Sequence, residues 1–319
     1  MNKLNKKKFI IAIDIGGTFI KGSVLDRSLK LYYKKTVKTL AERNTLEILK
    51  DIDLLISEME CQVQNNNDIF GIGIITPGYP DENGAIPLKS IPNVPALSDY
   101  PIKKYLSKNR KLPILFENDG NAATYGEYVF GQNKKCKNLV MLVLGTGVGS
   151  GVIVNGKILK GKDNISGELS HITLNPDGPE CCCGKKGCLE AYFSGKAIPR
   201  IAKEQLLKNR SSSLGKYNAD EITPHLIEEE ALKGDTLSMN VYNYCGKWLG
   251  VAISSYINIF NPEKIILSGG LSRGKNLFWE PMMEAVNKNT YPLYSGNARV
   301  EVSKYIDNAG MVGAASLFF

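Results

Sequence analysis

The chain has 319 residues and a mass of 35.1 kDa, about twice the usual size of one domain, so we expect two domains. Hydrophobic residues make up 43% of the sequence and charged residues 23%, a usage that excludes disordered, collagen-like and coiled-coil chains. The net charge is +8, but the 40 basic residues are interleaved with 32 acidic ones, which favours a solvated basic surface over a nucleic-acid partner.

The N-terminal segment has the features of neither a membrane span nor a leader peptide. Its apolar run, residues 9–13, ends at Asp14, far short of the roughly 20 residues that cross a bilayer. A small-residue cleavage site is also missing. We therefore expect a cytoplasmic protein without a membrane partner.

Two segments predict β-hairpins with glycine-rich turns. Residues 9–25, FIIAIDIGGTFIKGSVL, place apolar and β-branched runs on both sides of a Gly-Gly-Thr turn. Residues 139–154, LVMLVLGTGVGSGVIV, repeat this plan, with Gly145 in the position of Gly16. The chain is therefore expected to be duplicated, with two related α/β domains.

The remaining elements follow in chain order. Periodicity and turn signals predict an amphipathic helix over 41–64, strands over 70–78 and 113–119, a helix over 121–131, a loop over 209–220, a helix over about 235–260, a buried strand with a Gly-Gly turn over 263–272 and a docked C-terminal segment over 311–319. Asp119 thus lies at a strand-to-helix junction. We expect a smaller first domain of residues 1–119 completed by 303–319, and a larger second domain of residues 120–302.

Both glycine turns could receive a phosphate chain. They expose backbone N–H groups with no Cβ in the way, and Thr18 adds a hydroxyl. A dinucleotide fingerprint is excluded, because Ser150 replaces its third glycine and a strand follows instead of a helix. A Walker motif is absent from the sequence. The alternative is two tight hairpins in which glycine serves only to allow positive φ; the matched turns and Asp14 favour the phosphate interpretation.

A cluster of cysteines predicts a metal site. Four of the seven cysteines fall within residues 181–188, which argues against a secreted disulfide framework. His171, Cys181, Cys183 and Cys188 supply one imidazole and three thiolates, the donor set of a closed structural zinc site. Such a zinc would fix a loop and leave no position for substrate. A knuckle of reduced, metal-free cysteines is the alternative.

The order of the motifs DIGGT, ITPG, END, LGTGVGSG, GELSH, CCCGKKGCLE and LSGG resembles the ROK family of sugar kinases and repressors, within the actin-like ATPase superfamily. The match covers residues 9–315, and its cysteine element is the most specific part. The resemblance implies an α/β fold of two duplicated, ribonuclease H-like domains with a cleft between them. It also implies transfer of the γ-phosphate of ATP to a hexose hydroxyl, with the 6-hydroxyl of glucose as the first candidate.

The resemblance also assigns roles to residues. Asp119 is expected to be the catalytic base, although its position equally suits a helix N-cap. The residues expected to bind sugar hydroxyls are Asn93, Asn118, Glu168, His171 and Glu190; for Glu190 the alternative is a solvated carboxylate. The residues expected to bind ATP and Mg²⁺ are Asp14, Gly16, Gly17, Thr18, Gly145, Thr146, Gly147, Gly269 and Gly270. Cys182 is not a ligand in the family pattern and is expected to point away from the metal.

One motif departs from the family pattern. Ser170 stands where G-E-x-G-H has its second glycine. If that position requires positive φ, serine costs on the order of 1 kcal/mol or more and the sugar-side loop differs. The segment SIPNVPAL resembles the allose kinase branch, while the zinc element is shared with kinases of glucose, N-acetylmannosamine and fructose. The identity of the hexose, and polyphosphate as a donor in place of ATP, stay open.

Two other classes of function are considered. A sugar-sensing repressor would carry an additional helix-turn-helix segment, and with eight residues before the first predicted strand we expect none. A catalytically silent interaction protein would have no need of the Asn118-Asp119 pair. We therefore expect a cytoplasmic hexose kinase with ATP, Mg²⁺ and a structural Zn²⁺, forming a homodimer by family resemblance and binding no nucleic acid.

Overall fold

A computed structural model describes residues 8–91, 93–131, 133, 135–208, 211–294, 296 and 299–319. Its strands are β1 (Phe9–Ile15), β2 (Phe19–Asp26), β3 (Leu31–Lys38), β4 (Ile69–Thr76), β5 (Ile114–Asn118), β6 (Leu139–Leu144), β7 (Val148–Val154), β8 (Lys157–Ile158), β9 (Lys264–Ser268) and β10 (Arg299–Val302). Its helices are α1 (Thr45–Cys61), α2 (Ile102–Leu106), α3 (Asp119–Phe130), α4 (Ala197–Lys208), α5 (Pro224–Leu232), α6 (Thr236–Phe260), α7 (Lys275–Asn289) and α8 (Ala309–Ser316).

The strands form two five-stranded sheets with the same plan. One has the order β3-β2-β1-β4-β5, and the other, taken from its opposite edge, has the order β8-β7-β6-β9-β10. In each sheet the first strand of a glycine-turned hairpin pairs antiparallel with its hairpin partner and parallel with the next strand. Both predicted hairpins and the predicted duplication are thereby confirmed.

Contacts within the chain divide it into two compact units. Unit 1 takes the described residues of Met1–Lys134 together with Gly161–Ile165 and Asn308–Phe319, and unit 2 takes those of Lys135–Lys160 and Ser166–Asp307. The predicted boundary between the two domains is residue 119. In the structure α3, which begins at that residue, lies in unit 1 because it packs on α8. The division into domains at residue 119 stays a prediction of the sequence.

Helix boundaries follow from capping residues. The helix predicted over 41–64 is shorter, because Asn44 and Glu47 form a capping box that starts α1 at Thr45. Its apolar side is buried as predicted, and includes Ile48, Ile52, Leu55, Ile56 and Met59. The helix predicted over about 235–260 is confirmed: Asp235 caps α6, and Asn261, in the left-handed region with φ 42°, ends it before Pro262.

The C-terminal segment is docked, as predicted. It forms α8, whose buried residues include Met311, Val312, Ala314 and Ala315, and it packs on α3, β1 and β4. This approach requires glycines: a Cβ on Gly313 would lie 2.6 Å from the carbonyl carbon of Ala122. None of the helices in the described part of the chain combines the length and apolarity that crossing a bilayer requires.

Candidate functional site

The first glycine turn, between β1 and β2, is built for close backbone approach. Gly16 and Gly17 both have φ outside the left-handed region. A Cβ on Gly16 would lie 2.9 Å from the Phe19 carbonyl oxygen, and one on Gly17 would lie 2.8 Å from Cβ of Asn93. The alternative in which glycine serves only positive φ is therefore wrong for this turn, which instead brings a predicted phosphate loop against a predicted sugar-binding residue.

The turn is held by a neighbouring segment and stays accessible. Thr39 donates its hydroxyl to the Gly16 carbonyl oxygen (2.6 Å) and its backbone N–H to the Thr18 carbonyl oxygen (2.9 Å). The side chains of Thr18 and Asn93 are exposed. These contacts leave the Thr18 hydroxyl at the surface of unit 1, where a ligand could reach it.

Asp14 lies on β1 immediately before the turn. Burial raises the pKa of its carboxyl, while the charge of Lys21 and a hydrogen bond from it act in the opposite direction. Lys21 Nζ is 3.5 Å from Asp14 Oδ2, because the two residues face each other in the β1–β2 register. The pairing of Lys21 with Asp14 was not predicted from the sequence. Pairing the strands of the predicted hairpin outward from the turn would have found it.

Asn118 and Asp119 lie at the junction between β5 and α3 and differ in their hydrogen bonds. Asn118 is the N-cap: its Oδ1 accepts the Asn121 N–H (3.1 Å), and its Nδ2 donates to the Gly78 carbonyl oxygen (2.9 Å). Asp119 is the first residue of α3, is exposed, and accepts the Gly120 N–H at 2.8 Å. The alternative of Asp119 as a plain N-cap is therefore wrong.

In unit 2 the second glycine turn contacts Glu190. Val148 N–H donates to Glu190 Oε2 at 2.8 Å, and a Cβ on Gly147 would lie 2.5 Å from the same oxygen. The Gly145 carbonyl oxygen accepts the Gly195 N–H at 2.8 Å, while the Thr146 side chain is exposed. Neither Gly145 nor Gly147 has positive φ. Glu190 is thus anchored to the turn, and the alternative of a merely solvated carboxylate is wrong.

The cysteine knuckle gathers the four predicted metal ligands. The donor atoms of His171, Cys181, Cys183 and Cys188 all lie within 4.8 Å of one another. His171 Nδ1 is 3.6 Å from Cys181 Sγ, and Cys183 Sγ is 3.7 Å from Cys188 Sγ. Zn–S bonds of about 2.3 Å in a tetrahedron place sulfur atoms about 3.8 Å apart, so the spacing fits zinc.

Two glycines turn the knuckle back on itself. Gly184 and Gly187 have φ of 82° and 70°, the left-handed region that glycine adopts without strain. A Cβ on Gly187 would also collide with the Asn175 carbonyl oxygen. The Cys182 thiol donates to Glu190 Oε1 at 2.8 Å, and its Sγ also lies within 4.8 Å of Cys181 Sγ.

The loop before the knuckle carries Glu168 and His171. With His171 Nδ1 toward the sulfur atoms, its Nε2 lies 3.8 Å from Glu168 Oε2. Ser150 holds this loop: its hydroxyl donates to the Gly167 carbonyl oxygen (2.6 Å) and accepts the Leu169 N–H (3.0 Å). In the sequence, Ser150 served only as the residue that excludes a dinucleotide fingerprint, and no sequence signal points to its contacts with this loop.

The serine that departs from the family pattern is not strained. Ser170 lies in a 3₁₀ turn, Leu169–His171, with φ outside the left-handed region, while Gly167 takes φ 94°. The condition for a strain cost at Ser170 is therefore not met. Its hydroxyl is buried and has no hydrogen-bond partner among the described residues.

The last predicted pair, Gly269 and Gly270, follows β9. Gly269 has φ 83°, and a Cβ there would collide with the Leu144 carbonyl oxygen at the end of β6. Gly270 begins a 3₁₀ turn, and a Cβ there would meet no atom within 4 Å. The structure thus brings Gly269 to the strand that leads into the second glycine turn.

The sequence model of the ROK family matches residues 10–319. The chain belongs to the ROK family. Its two duplicated units are those of the actin-like two-domain ATPase fold that ROK sugar kinases have.

Individual relatives include kinases and regulators. A glucokinase of Thermotoga maritima is 34% identical over 314 residues, covering 97% of this chain and 96% of the relative. A xylose repressor of Bacillus spizizenii is 30% identical over 318 residues, covering 98% of this chain and 78% of the repressor. The crystal structure of a ROK family glucokinase from Streptomyces griseus in complex with glucose and AMPPNP has a TM-score of 0.80 at 29% identity, covering 97% and 98% of the two chains.

Proposed function

We propose that this chain is an ATP-dependent hexose kinase that transfers the γ-phosphate to a sugar hydroxyl, with the 6-hydroxyl of glucose as the first candidate. The observation that carries the proposal is the exposed carboxylate of Asp119. Asn118, and not Asp119, is the N-cap of α3. The similarity to glucokinases, one of them in complex with glucose and AMPPNP, supports both substrates.

Unit 1 would supply the base and one set of phosphate contacts. Phosphoryl transfer through a loose transition state needs the acceptor hydroxyl aligned and its proton accepted late, and the Asp119 carboxylate can do this. Asn93 and Asn118 would hold sugar hydroxyls. Asp14 would hold Mg²⁺, directly or through water, and the N–H groups of the Gly16–Thr18 turn would contact phosphate. When bound, Mg²⁺ neutralises charge on the phosphate oxygens.

Unit 2 would supply the remaining sugar and nucleotide contacts. Glu168, His171 and Glu190 would bind sugar hydroxyls, because carboxylate and imidazole groups can pair with hydroxyls that both donate and accept. Residues 145–147 would contact phosphate, and Gly269 and Gly270 would lie on the adenosine side. A zinc ion held by His171 and the three cysteines would fix the loop of Glu168 and leave His171 Nε2 as the ring atom available to a sugar.

A sugar-sensing regulator is the second candidate. It is favoured by the 30% identity to the xylose repressor of Bacillus spizizenii. A regulator would bind the sugar without transferring phosphate to it, so the two candidates differ in turnover. We further infer a cytoplasmic location and a homodimer, which light scattering after gel filtration would test.

The first test is ADP release from Mg-ATP with glucose, mannose, N-acetylmannosamine, allose and fructose. We expect turnover on at least one sugar, and a loss of about 100-fold or more in Asp119→Asn, the usual size of a general-base effect. Sugar affinity should persist in that variant. Asp220→Asn, which changes an exposed carboxylate in unit 2, is the matched control. Full turnover by Asp119→Asn would contradict the assigned role.

A further inference from the structure

Glu190 has both carboxylate oxygens engaged from different segments. Oε2 accepts the N–H of Val148, the first residue of β7 directly after the second glycine turn, at 2.8 Å. Oε1 accepts the thiol of Cys182, in the cysteine knuckle, at 2.8 Å. The first contact alone would let the carboxylate rotate about that oxygen. Two contacts fix its plane.

Cys182 differs from the other cysteines of the knuckle in what it contacts. The four mutually close metal-ligand atoms belong to His171, Cys181, Cys183 and Cys188, so the two neighbours of Cys182 are both in that set. A zinc ion that holds Cys181 and Cys183 would therefore hold the backbone of Cys182 between them. The metal would thereby set the position of the Cys182 thiol without binding it, since this thiol donates to Glu190.

We propose that Cys182 is a positioning residue that fixes the Glu190 carboxylate against the second glycine turn, so that the zinc knuckle orients a sugar-binding group through a thiol that is not a metal ligand. This inference rests on the proposed function. Orientation of a binding carboxylate matters because a loosely held group must be ordered when substrate binds, which weakens affinity.

The test compares zinc-loaded wild type with Cys182→Ala, Cys182→Ser and Cys61→Ala. Cys61→Ala removes an exposed thiol of unit 1 and is the matched control. We expect Cys182→Ala to raise the Kd and KM for the hexose about tenfold, the size expected for one hydrogen bond to a charged group, with a smaller change in kcat. Cys182→Ser, which keeps a donor, should recover part of the affinity, and zinc content should stay unchanged in all variants.

Two results would overturn the proposal. Unchanged hexose affinity in Cys182→Ala would show that the contact positions nothing. Loss of zinc in Cys182→Ala would show that Cys182 is a ligand, as the proximity of Cys181, Cys182 and Glu190 also permits.

A double-mutant cycle separates this proposal from the proposed function. Cys182→Ala and Glu190→Gln, alone and together, are followed by thermal unfolding of the zinc-loaded protein. Coupled residues give Tm changes that do not add, whether or not any hexose is phosphorylated. Additive changes would overturn the contact itself. Absence of turnover on every hexose, with non-additive Tm changes, would defeat the kinase proposal and retain the contact.

Discussion

Asp14 is a carboxyl whose burial and whose proposed contact with Mg²⁺ have opposite consequences for the protein. Its carboxyl has a pKa above the ordinary 3.8, chiefly because burial disfavours the charged form. An acid with a raised pKa binds its proton more tightly in the folded chain than in the unfolded chain. Its contribution to the free energy of unfolding is therefore complete below the ordinary pKa, and it is lost as the pH rises through the pKa of the folded state. We therefore expect the ionised group to lower the stability of unit 1 at neutral pH.

Asp14→Asn should consequently raise Tm at pH 7, and the gain should shrink as the pH falls toward 4. The same variant should lose hexose phosphorylation by about 100-fold or more, because the proposed Mg²⁺ contact is gone. Differential scanning fluorimetry across pH, beside the ADP-release assay, measures both effects. A variant with lower Tm and full turnover would contradict this account of Asp14.

Single residues were predicted well where the signal was local. Residue type and spacing indicated a metal site at residues 171–188, the family pattern selected Cys181 and Cys183 over Cys182, and the structure gathers all four chosen side chains. Lys21, Ser150 and the Cys182–Glu190 contact were not predicted, because each depends on a strand register or on loops that meet only after folding. The strain considered at Ser170 depended on φ, which the sequence does not contain; the positive φ falls on Gly167.

Among the elements, the cysteine knuckle depends most on an added group. Three sulfur atoms and an imidazole nitrogen lie at zinc-like separations. One antiparallel bridge, between Thr173 and Cys188, links the loop to the segment before it, a second bridge, between Glu180 and Lys186, closes the loop on itself, and a short helical turn follows. A cation that binds this set of ligands in the folded loop and not in the unfolded chain would stabilise the fold by its binding free energy.

Removal of zinc by a strong chelator should lower Tm by several degrees, about 3–6 °C, and weaken hexose affinity. Added zinc should restore both quantities. In Cys188→Ala, which lacks one ligand, the chelator should have little further effect, and that variant serves as the control. Unchanged Tm and unchanged sugar affinity after verified metal loss would contradict a role for the metal in organising this loop.

Elements with a strong sequence pattern were predicted, and weakly patterned ones were not. The glycine turns located both hairpins in the sequence. The apolar periodicity of α1 and α6 located both helices, with errors only at their ends, where capping residues determine the first and last helical residue. β3 was not predicted, because its charged sequence is exposed at most positions and lacks apolar alternation. The position of Asp119 at a strand-to-helix junction was predicted, while Asn118 as the cap emerged only from the hydrogen bonds.

At the scale of the whole chain, unit 1 is completed by residues distant in sequence. α8 packs on β1, β4 and α3, and glycines let the backbones approach. Gly313→Ala would place a Cβ 2.6 Å from the Ala122 carbonyl carbon and 2.7 Å from the Ala123 nitrogen.

We expect Gly313→Ala to lower the free energy of unfolding by about 1–3 kcal/mol, because rigid backbone has to move. Gly270→Ala, where the added Cβ meets no atom within 4 Å, is the stability control and should leave Tm nearly unchanged. Urea unfolding of both variants measures the difference. Equal stability of the two would contradict the close packing of α8.

The fold class could be predicted because the motifs occur along the chain in the order of the ROK family and because the two hairpins match. The two sheets repeat one strand order, as the duplicated sequence pattern indicated. The hexose could not be predicted, because in the proposed site its choice would depend on how Asn93, Glu168 and their neighbours present polar atoms, and the spacing of these residues in the sequence leaves that orientation undetermined.

The most direct test of the central claim follows the γ-phosphate itself. ATP labelled at that phosphate is mixed with Mg²⁺, zinc-loaded protein and, in separate reactions, glucose or each of the other four sugars named above, and the products are separated. With glucose we predict label in glucose 6-phosphate for the wild type and almost none for Asp119→Asn. Label confined to ATP with every hexose tested, in protein that still binds sugar, would contradict the kinase and favour a regulator.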